Sequence, residues 1–311
     1  MPGHASSVQR LELNSLDVPI LWGLMDDDWP LRCPVCAAPM EIRRRVSAGR
    51  PVGLACSSGH RYDAAKQGYV NLLVGKGSQS TPDSAAMIMA RERVQEADVF
   101  TSLTEMIAEL ADPALSASGG MVLDCGSGTG HHLHHLLDKH PHSRGLAVDL
   151  SPAGLKRAAR HPRTVALAWD LWRPLPVATG SVDLLLDIFA PRNPVEYARV
   201  LRSGGSAVVV TPRSGHLAEL AGVGLLGMRS HKFRDLQHQM AGHLGEPKSV
   251  LTCTDTVEID TRTATDLVMM GPAGHHRRDA EVMGHVNAAR ISTVTLDLDV
   301  SLWHQMEPLV T

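Results

Sequence analysis

Aromatic residues are scarce in this chain: phenylalanine, tyrosine and tryptophan together make up 4% of its 311 residues. Few side chains are therefore available to stack on the bases of a nucleic acid. The five cysteines are an odd number, which argues against a disulfide framework. No apolar run reaches the roughly 20 residues of a membrane-spanning helix, and no basic-then-apolar leader opens the chain. We expect a cytoplasmic protein with no contact with a membrane.

Positive charge is concentrated near the N-terminus, although the whole chain has a net charge of −3. Between Leu31 and Lys66 there are seven basic and two acidic residues, an excess of five that leaves −8 for the remainder. Such a cluster is typical of a surface that follows nucleic-acid phosphates, although a solvated charged hairpin is the alternative. The candidate RNA-binding residues are Arg43, Arg44, Arg45, Arg61 and Lys66.

Four candidate metal ligands lie within the same segment. Cys33, Cys36, Cys56 and His60 follow the spacing C-x2-C-x19-C-x3-H, which supplies a complete tetrahedral set for zinc. Four protein ligands leave no open coordination position, so we expect structural zinc (Zn2+) rather than a catalytic ion. The alternative is that these cysteines are small buried side chains that bind no metal.

The chain divides into four segments. Residues 1–30 have weak periodicity and form an N-terminal extension, whereas residues 31–74 form the zinc module, which is expected to be a ribbon of short strands. Residues 75–118 comprise a flexible connection and a helix that is capped by Asp83 or Ser84 and runs to about Leu110. Residues 119–311 form the largest domain.

Strands and helices alternate from Met121 onward, which predicts a parallel sheet with crossover helices. Seven strands that end in a hairpin pair are the arrangement of a class I methyltransferase, so the predicted fold class is α/β and Rossmann-like. The predicted strands are Met121–Cys125, Gly145–Asp149, Val165–Trp169, Val182–Ile188, Ser206–Thr211, Val257–Thr263 and Ile291–Leu298. The predicted helices include Pro152–His161, Pro194–Leu201 and Ala264–Met270.

A glycine-rich loop follows the first of these strands. Gly126, Gly128 and Gly130 form the pattern G-x-G-x-G, which lets the backbone turn tightly and approach a ligand closely. The dinucleotide-binding pattern needs its third glycine at position 131, where this chain has His131. The loop therefore favours a nucleotide-type cofactor other than a dinucleotide.

Acidic residues lie at the ends of the first three strands of the predicted sheet. Asp124 suits the amino-acid end of S-adenosylmethionine (SAM), Asp149 suits both ribose hydroxyls, and Asp170 suits the adenine amino group. These positions predict a SAM site, with His131 at its methionine end. The alternatives are another nucleotide in the same crevice and an Asp170 that only caps a turn.

The loop after the fourth strand borders the reacting methyl group in a sheet of this kind. Phe189, Ala190 and Pro191 are therefore the predicted acceptor loop. Asp187 is the candidate catalytic residue, because a ring nitrogen that carries a proton must lose it during methyl transfer. The alternative is a polar strand end without a catalytic role. The loop lacks the Asn/Asp-Pro-Pro-aromatic pattern used for exocyclic amino groups, which is compatible with a ring nitrogen acceptor.

Together these motifs resemble the RlmA family of 23S rRNA (guanine-N1)-methyltransferases, particularly its macrolide-resistance (TlrB-type) branch. The resemblance covers roughly residues 31–300, and its most diagnostic part is the run Gly59–Leu73. Further matching segments are Asp83-Ser84, Ala90-Arg91, Phe189–Pro194, Thr211-Pro212 and His216–Leu220.

The resemblance implies a zinc domain that grips a 23S rRNA hairpin and a SAM domain that methylates N1 of one guanine. It places that guanine in a domain II hairpin beside the peptide exit tunnel, and it implies a homodimer and macrolide resistance. The chain departs from the family in two segments. Asp98-Val99-Phe100 stands where relatives carry Gly-His-Tyr, and His275-His276 stands near the position of a usual tryptophan.

Two other functions are compatible with parts of the sequence. One is a small-molecule SAM-dependent methyltransferase with a structural zinc ribbon, against which the basic module and the run Gly59–Leu73 argue. The other is a non-catalytic RNA-binding relative, against which the complete loop from Asp124 to Gly130 argues.

Overall fold

The computed structural model describes residues 28–44, 51–75, 78, 80–115, 119–227 and 232–305. Most of the expected N-terminal extension, the candidate RNA-binding residue Arg45 and the side chain of Arg44 lie outside the described residues. Within the described ranges, no helix combines the length and the apolar character that crossing a bilayer requires.

Eleven strands form two sheets in the described residues. A three-stranded ribbon contains β1 (Met40–Arg44), β2 (Pro51–Cys56) and β3 (Arg61–Asp63). An eight-stranded sheet contains β4 (Val70–Asn71), β5 (Met121–Cys125), β6 (Arg144–Asp149), β7 (Thr164–Ala168), β8 (Val182–Ile188), β9 (Leu201–Pro212), β10 (Ser249–Glu258) and β11 (Thr293–His304).

Nine α-helices accompany these strands in the described ranges. They are α1 (Ala85–Glu96), α2 (Thr101–Leu115), α3 (His131–Lys139), α4 (Pro152–Ala158), α5 (Pro194–Val200), α6 (Ala218–Gly222), α7 (Lys232–Leu244), α8 (Thr261–Met269) and α9 (Asp279–Ala289).

The large sheet has the strand order β4-β7-β6-β5-β8-β9-β11-β10. Only β11 runs antiparallel to its neighbours, β9 and β10, and the other adjacent pairs are parallel. The central strands are buried throughout, as in β5 and β7, because helices cover both faces of such a sheet. The predicted class I methyltransferase arrangement is confirmed, and β4 adds a short eighth strand at one edge.

Two elements differ from the sequence prediction. The prediction of a strand at Val257–Thr263 is wrong, because β10 ends at Glu258. Asp260 caps α8 by accepting a hydrogen bond from the Thr263 amide at 2.7 Å. The single helix expected to reach Leu110 is two helices, since Asp98 adopts a left-handed φ of 56° between α1 and α2. Ser84, rather than Asp83, is the N-cap of α1.

The zinc ribbon and the large sheet share one hydrophobic core. Leu31 forms an antiparallel bridge with Val177, and the Arg32 amide donates to the Pro176 carbonyl at 2.9 Å. Leu54 of the ribbon belongs to the same buried cluster as Leu175 beside the sheet. β4, which directly follows the ribbon, pairs with β7. These contacts fix the orientation of the ribbon relative to the sheet.

We predict that Leu31→Ala destabilises the whole protein. Leu31 is 1% exposed, so truncation leaves a cavity where ribbon and sheet meet, at a cost of about 2–5 kcal/mol in the free energy of unfolding. The matched control is Leu251→Ala, whose side chain is 40% exposed and whose replacement should cost less than about 1 kcal/mol. Urea unfolding measures both, and equal losses would contradict the shared core.

Candidate active site and metal centre

The four predicted metal ligands converge at one point of the ribbon. The Nδ1 atom of His60 lies 3.6 Å from the Sγ atom of Cys33 and 3.4 Å from that of Cys56. The Sγ atoms of Cys36 and Cys56 are 3.8 Å apart, and all four ligand atoms lie within 4.8 Å of one another. Tetrahedral zinc, with bonds of about 2.3 Å to sulfur and 2.05 Å to nitrogen, places its ligand atoms roughly 3.6–3.8 Å apart, close to the three separations given. The cluster therefore fits zinc.

Local backbone geometry explains the spacing of these ligands. Ala37 has a left-handed φ of 56° and closes the first knuckle, where its amide donates to the Cys33 carbonyl at 2.8 Å. Gly59 has a φ of 88° and closes the second knuckle, where its amide donates to the Cys56 carbonyl at 2.9 Å. The hydroxyl of Tyr62 lies 3.5 Å from the Cys33 sulfur and supports the ligand from outside the cluster.

A cavity of about 970 Å³ opens at the carboxyl ends of the parallel strands. It is the crevice in which open α/β sheets bind their ligands. The structure brings to it most of the predicted cofactor and acceptor residues, namely Asp124, Gly126, His131, Asp149, Asp170, Phe189, Ala190 and Pro191.

The glycine loop has the conformation that its sequence requires. Gly126, Gly128 and Gly130 have φ values of 76°, 53° and 81°, a region that side chains rarely adopt. A Cβ atom on Gly126 would lie 2.5 Å from the Cβ atom of Ala190, so the glycine also permits the acceptor loop to approach. The Gly128 amide donates to the Asp149 carboxylate at 2.8 Å, which ties the loop to the end of β6.

The electrostatics of the cavity suit a cationic ligand. Asp124 is 4% exposed, and burial together with the negative charges of Asp149 and Asp187 raises the pKa of its carboxyl to about 8. A bound cation would stabilise the ionised carboxylate. The buried hydroxyl of Ser127, in the same loop, has no hydrogen-bond partner among the described residues and can bind a ligand. SAM carries a sulfonium and an ammonium group, so these residues fit it.

Asp170 and His131 both line the cavity, and their assignments to the two ends of the cofactor stay predictions. The carboxylate of Asp170 accepts hydrogen bonds from the Trp172 amide at 3.0 Å and from the Ser78 hydroxyl at 2.7 Å. It therefore stabilises a turn and also faces the cavity. Burial lowers the pKa of the His131 imidazole, which favours its neutral form.

Asp187 is fully buried and does not line the cavity. Its carboxylate accepts a hydrogen bond from the Tyr197 hydroxyl at 2.6 Å and one from the Ala190 amide at 3.3 Å. Burial raises the pKa of this carboxyl to about 7, against the opposing effect of the Tyr197 hydrogen bond. This geometry anchors the acceptor loop. Its catalytic assignment stays a prediction.

Further residues line the cavity that the sequence did not single out as site residues, among them Arg91, Gln95, Phe100 and His216. The Arg91 guanidinium donates to the Asp83 carboxylate at 2.6 Å and to the Met270 carbonyl at 2.9 Å, which joins α1 to the C-terminal end of α8. Arg91 and His216 lie in segments that resemble the RlmA family, and this resemblance is the sequence signal that could have identified them as site residues. Both segments that depart from the family also reach the cavity, through Phe100 and His275.

The candidate RNA-binding residues lie on the ribbon surface. Arg43 and Arg61 are exposed on one face, where the register of the strands also places Glu41 and Asp63. Lys66 is exposed beyond β3. Among the described residues the charge of this face is mixed, so the predicted positive surface is not uniform.

The strand order, the glycine loop and the acidic strand ends define a class I SAM-dependent methyltransferase with an added zinc ribbon. Family models match in the same two places: "RlmA, N-terminal", a zinc ribbon, over residues 31–79, and "Methyltransferase domain" over residues 122–205. The first match contains the metal-ligand cluster and the second contains the glycine loop.

The relatives of the chain define its family more closely. It is 39% identical to the 23S rRNA (guanine(748)-N(1))-methyltransferase of Streptomyces fradiae, over 82% of this chain and 91% of that protein. It is 38% identical to a putative 23S rRNA (guanine-N(1)-)-methyltransferase of Micromonospora griseorubida, over 88% and 95% of the two chains. The chain belongs to the RlmA family of 23S rRNA (guanine-N1)-methyltransferases.

We predict that Cys36→Ser lowers the zinc content of the purified protein well below one ion per chain and lowers its melting temperature. The change replaces a thiolate ligand by a hydroxyl, which binds zinc poorly. The matched control is Cys253→Ala, which removes a buried cysteine of β10 outside the cluster and should leave the zinc content unchanged. Metal analysis by mass spectrometry measures both variants. A full zinc content in Cys36→Ser would contradict the assigned centre.

Proposed function

We propose that this protein methylates N1 of a guanine in a domain II hairpin of 23S rRNA and that the modification protects the ribosome from macrolides. The observation that carries the proposal is the single cavity that joins the glycine loop to the acceptor loop. A cofactor on one wall and a base on the other would meet there. The family relationship supports rRNA as the substrate class.

The proposed cofactor site uses the acids at the strand ends. We assign Asp124 to the ammonium end of the cofactor, Asp149 to the ribose hydroxyls and Asp170 to the adenine amino group. When bound, SAM would supply a methyl group to the guanine N1 atom: the bond from methyl carbon to sulfur would break to leave S-adenosylhomocysteine, and the N1 proton would pass to water. The protein contributes alignment above all, because the reaction is an in-line displacement.

The proposed RNA contacts begin on the zinc ribbon. Arg43, Arg61 and Lys66 are exposed there and can bind phosphates. The core that the ribbon shares with the sheet keeps these contacts at a constant distance from the cavity, so the ribbon can set which nucleotide reaches the acceptor loop. We also propose that the protein acts as a homodimer, as the resemblance implies.

The direct test of the function is methylation of unmodified 23S rRNA with labelled SAM, followed by mapping of the product by mass spectrometry. We expect one 1-methylguanine in domain II. Label on another base, label on small metabolites only, or SAM binding without transfer would each contradict the proposal.

We predict that Asp149→Ala weakens SAM binding by at least about tenfold. The change removes a carboxylate that binds the loop amide of Gly128 and is assigned to the ribose hydroxyls, and a hydrogen bond to a charged group contributes about 1.5–3 kcal/mol. The matched control is Asp138→Ala, an exposed acid at the outer end of α3. Isothermal titration calorimetry measures both. Equal affinities of the two variants would contradict the assignment.

We predict that expression of the protein in a macrolide-susceptible bacterium raises the minimal inhibitory concentration of a macrolide at least severalfold. Methylation of the target base would weaken drug binding beside it. The variant Asp149→Ala, expressed at the same level, is the control and should leave the strain susceptible. Full methylation of the target without a change in susceptibility would contradict the proposed role in resistance.

A further inference from the structure

Three rings meet where the acceptor loop borders the cavity. The rings of Phe189 and His216 are stacked, with centroids 5.9 Å apart and an interplanar angle of 18°. Phe100 packs against both, with centroid distances of 6.2 Å to Phe189 and 6.5 Å to His216. All three residues line the cavity. They form a continuous aromatic wall in a chain that contains few aromatic residues.

Phe189 is held in an unfavourable environment. Its φ is 59°, a left-handed value that is uncommon for a bulky residue, and its side chain is 44% exposed. Such strain persists only where the surrounding structure enforces it, and it concentrates at functional sites. Folding alone would favour a buried ring with ordinary backbone geometry, so a ligand is the simplest reason for this ring to face the cavity.

Buried hydrogen bonds on both sides of Phe189 in the chain fix its backbone conformation. Asp187, two residues earlier, accepts from the Ala190 amide at 3.3 Å, and the Tyr197 hydroxyl contacts both the Asp187 carboxylate and the Pro191 carbonyl, the latter at 3.2 Å. The acceptor loop is therefore fixed on both sides of Phe189. This arrangement gives the buried Asp187 a positioning role.

The ring of His216 is fixed behind Phe189 by the loop between β9 and α6. The amide of Gly215 donates to the Asp297 carboxylate at 3.0 Å, and the amide of Leu217 donates to the Thr295 carbonyl at 2.7 Å. These two bonds to β11 flank His216 in the chain. The imidazole thus lies beside Phe189 in an offset, nearly parallel orientation, while the exposed part of the phenylalanine ring remains available to a ligand.

We propose that Phe189, backed by His216, is the platform on which the target base stacks when it enters the cavity. The inference rests on the proposed function and names the residues that position its substrate. Ala190, next to Phe189, lies against Gly126 of the cofactor loop, so a base on this ring lies beside the methyl donor. A base must leave its stack to reach an enclosed site, and an aromatic ring replaces the lost stacking.

The test compares Phe189→Leu with Phe189→Tyr and Phe189→Trp. Leucine keeps apolar bulk but removes the ring, so we expect kcat/KM for rRNA to fall about 5- to 150-fold, the range for loss of one stacked base. Tyrosine and tryptophan keep a ring face and should stay within a few-fold of the wild type. All three variants should bind SAM with unchanged Kd and melt at the wild-type temperature.

His216 provides an independent arm of the same test. His216→Phe keeps a flat ring behind Phe189 and should retain activity with an unchanged pH profile, whereas His216→Ala should lower kcat/KM. Loss of activity in His216→Phe together with a changed pH profile would show proton chemistry at His216 and overturn its role as a backing ring.

The failures of the two proposals are distinguishable. A wild-type protein that leaves guanine N1 unmodified overturns the proposed function. A wild-type protein that methylates it, with Phe189→Leu equally active, overturns only the platform. The platform is also overturned if Phe189→Leu loses SAM binding or if the aromatic variants are as impaired as the leucine variant.

Discussion

The contact between Gly126 and Ala190 sets the distance between the two halves of the active site. A side chain on Gly126 would lie 2.5 Å from the Ala190 Cβ atom, so the cofactor loop and the acceptor loop can touch only because position 126 is glycine. The left-handed φ of 76° adds a second reason for glycine there. Alignment of the reacting groups is the main contribution that an enzyme makes to methyl transfer. The close approach of these loops therefore determines how closely a cofactor and an acceptor base can be aligned in the cavity.

In the proposed function, the zinc ribbon extends this alignment to the RNA. Its ligands hold two knuckles together, and its apolar face, through Leu31 and Leu54, merges with the core under the sheet. We therefore expect loss of zinc to release strands that pack on the methyltransferase domain. A separate ribbon on a flexible tether could capture RNA but could not present one nucleotide to a fixed acceptor loop.

The sequence predicted features that depend on neighbours in the chain. The ligand spacing, the loop from Asp124 to Gly130 and the buried parallel strands are local patterns, and the structure contains each of them. The prediction was wrong at β10, an edge strand in which Cys253 is the one buried residue, so its sequence carries little of the hydrophobic pattern that identifies a strand. Features that depend on distant partners were missed. Only the fold shows the hydrogen bond between Tyr197 and Asp187, whose catalytic role stays a prediction, and the stacking of Phe189 on His216 joins residues 27 positions apart.

A crystal structure with SAM and an RNA hairpin that contains the target guanine tests the central claim most directly. The account predicts the methyl carbon between the glycine loop and the acceptor loop, with guanine N1 within about 3–3.5 Å of it and in line with the carbon–sulfur bond. A cofactor that lies outside the Asp124–Gly130 crevice, or a base that approaches from another side of the sheet, would contradict it.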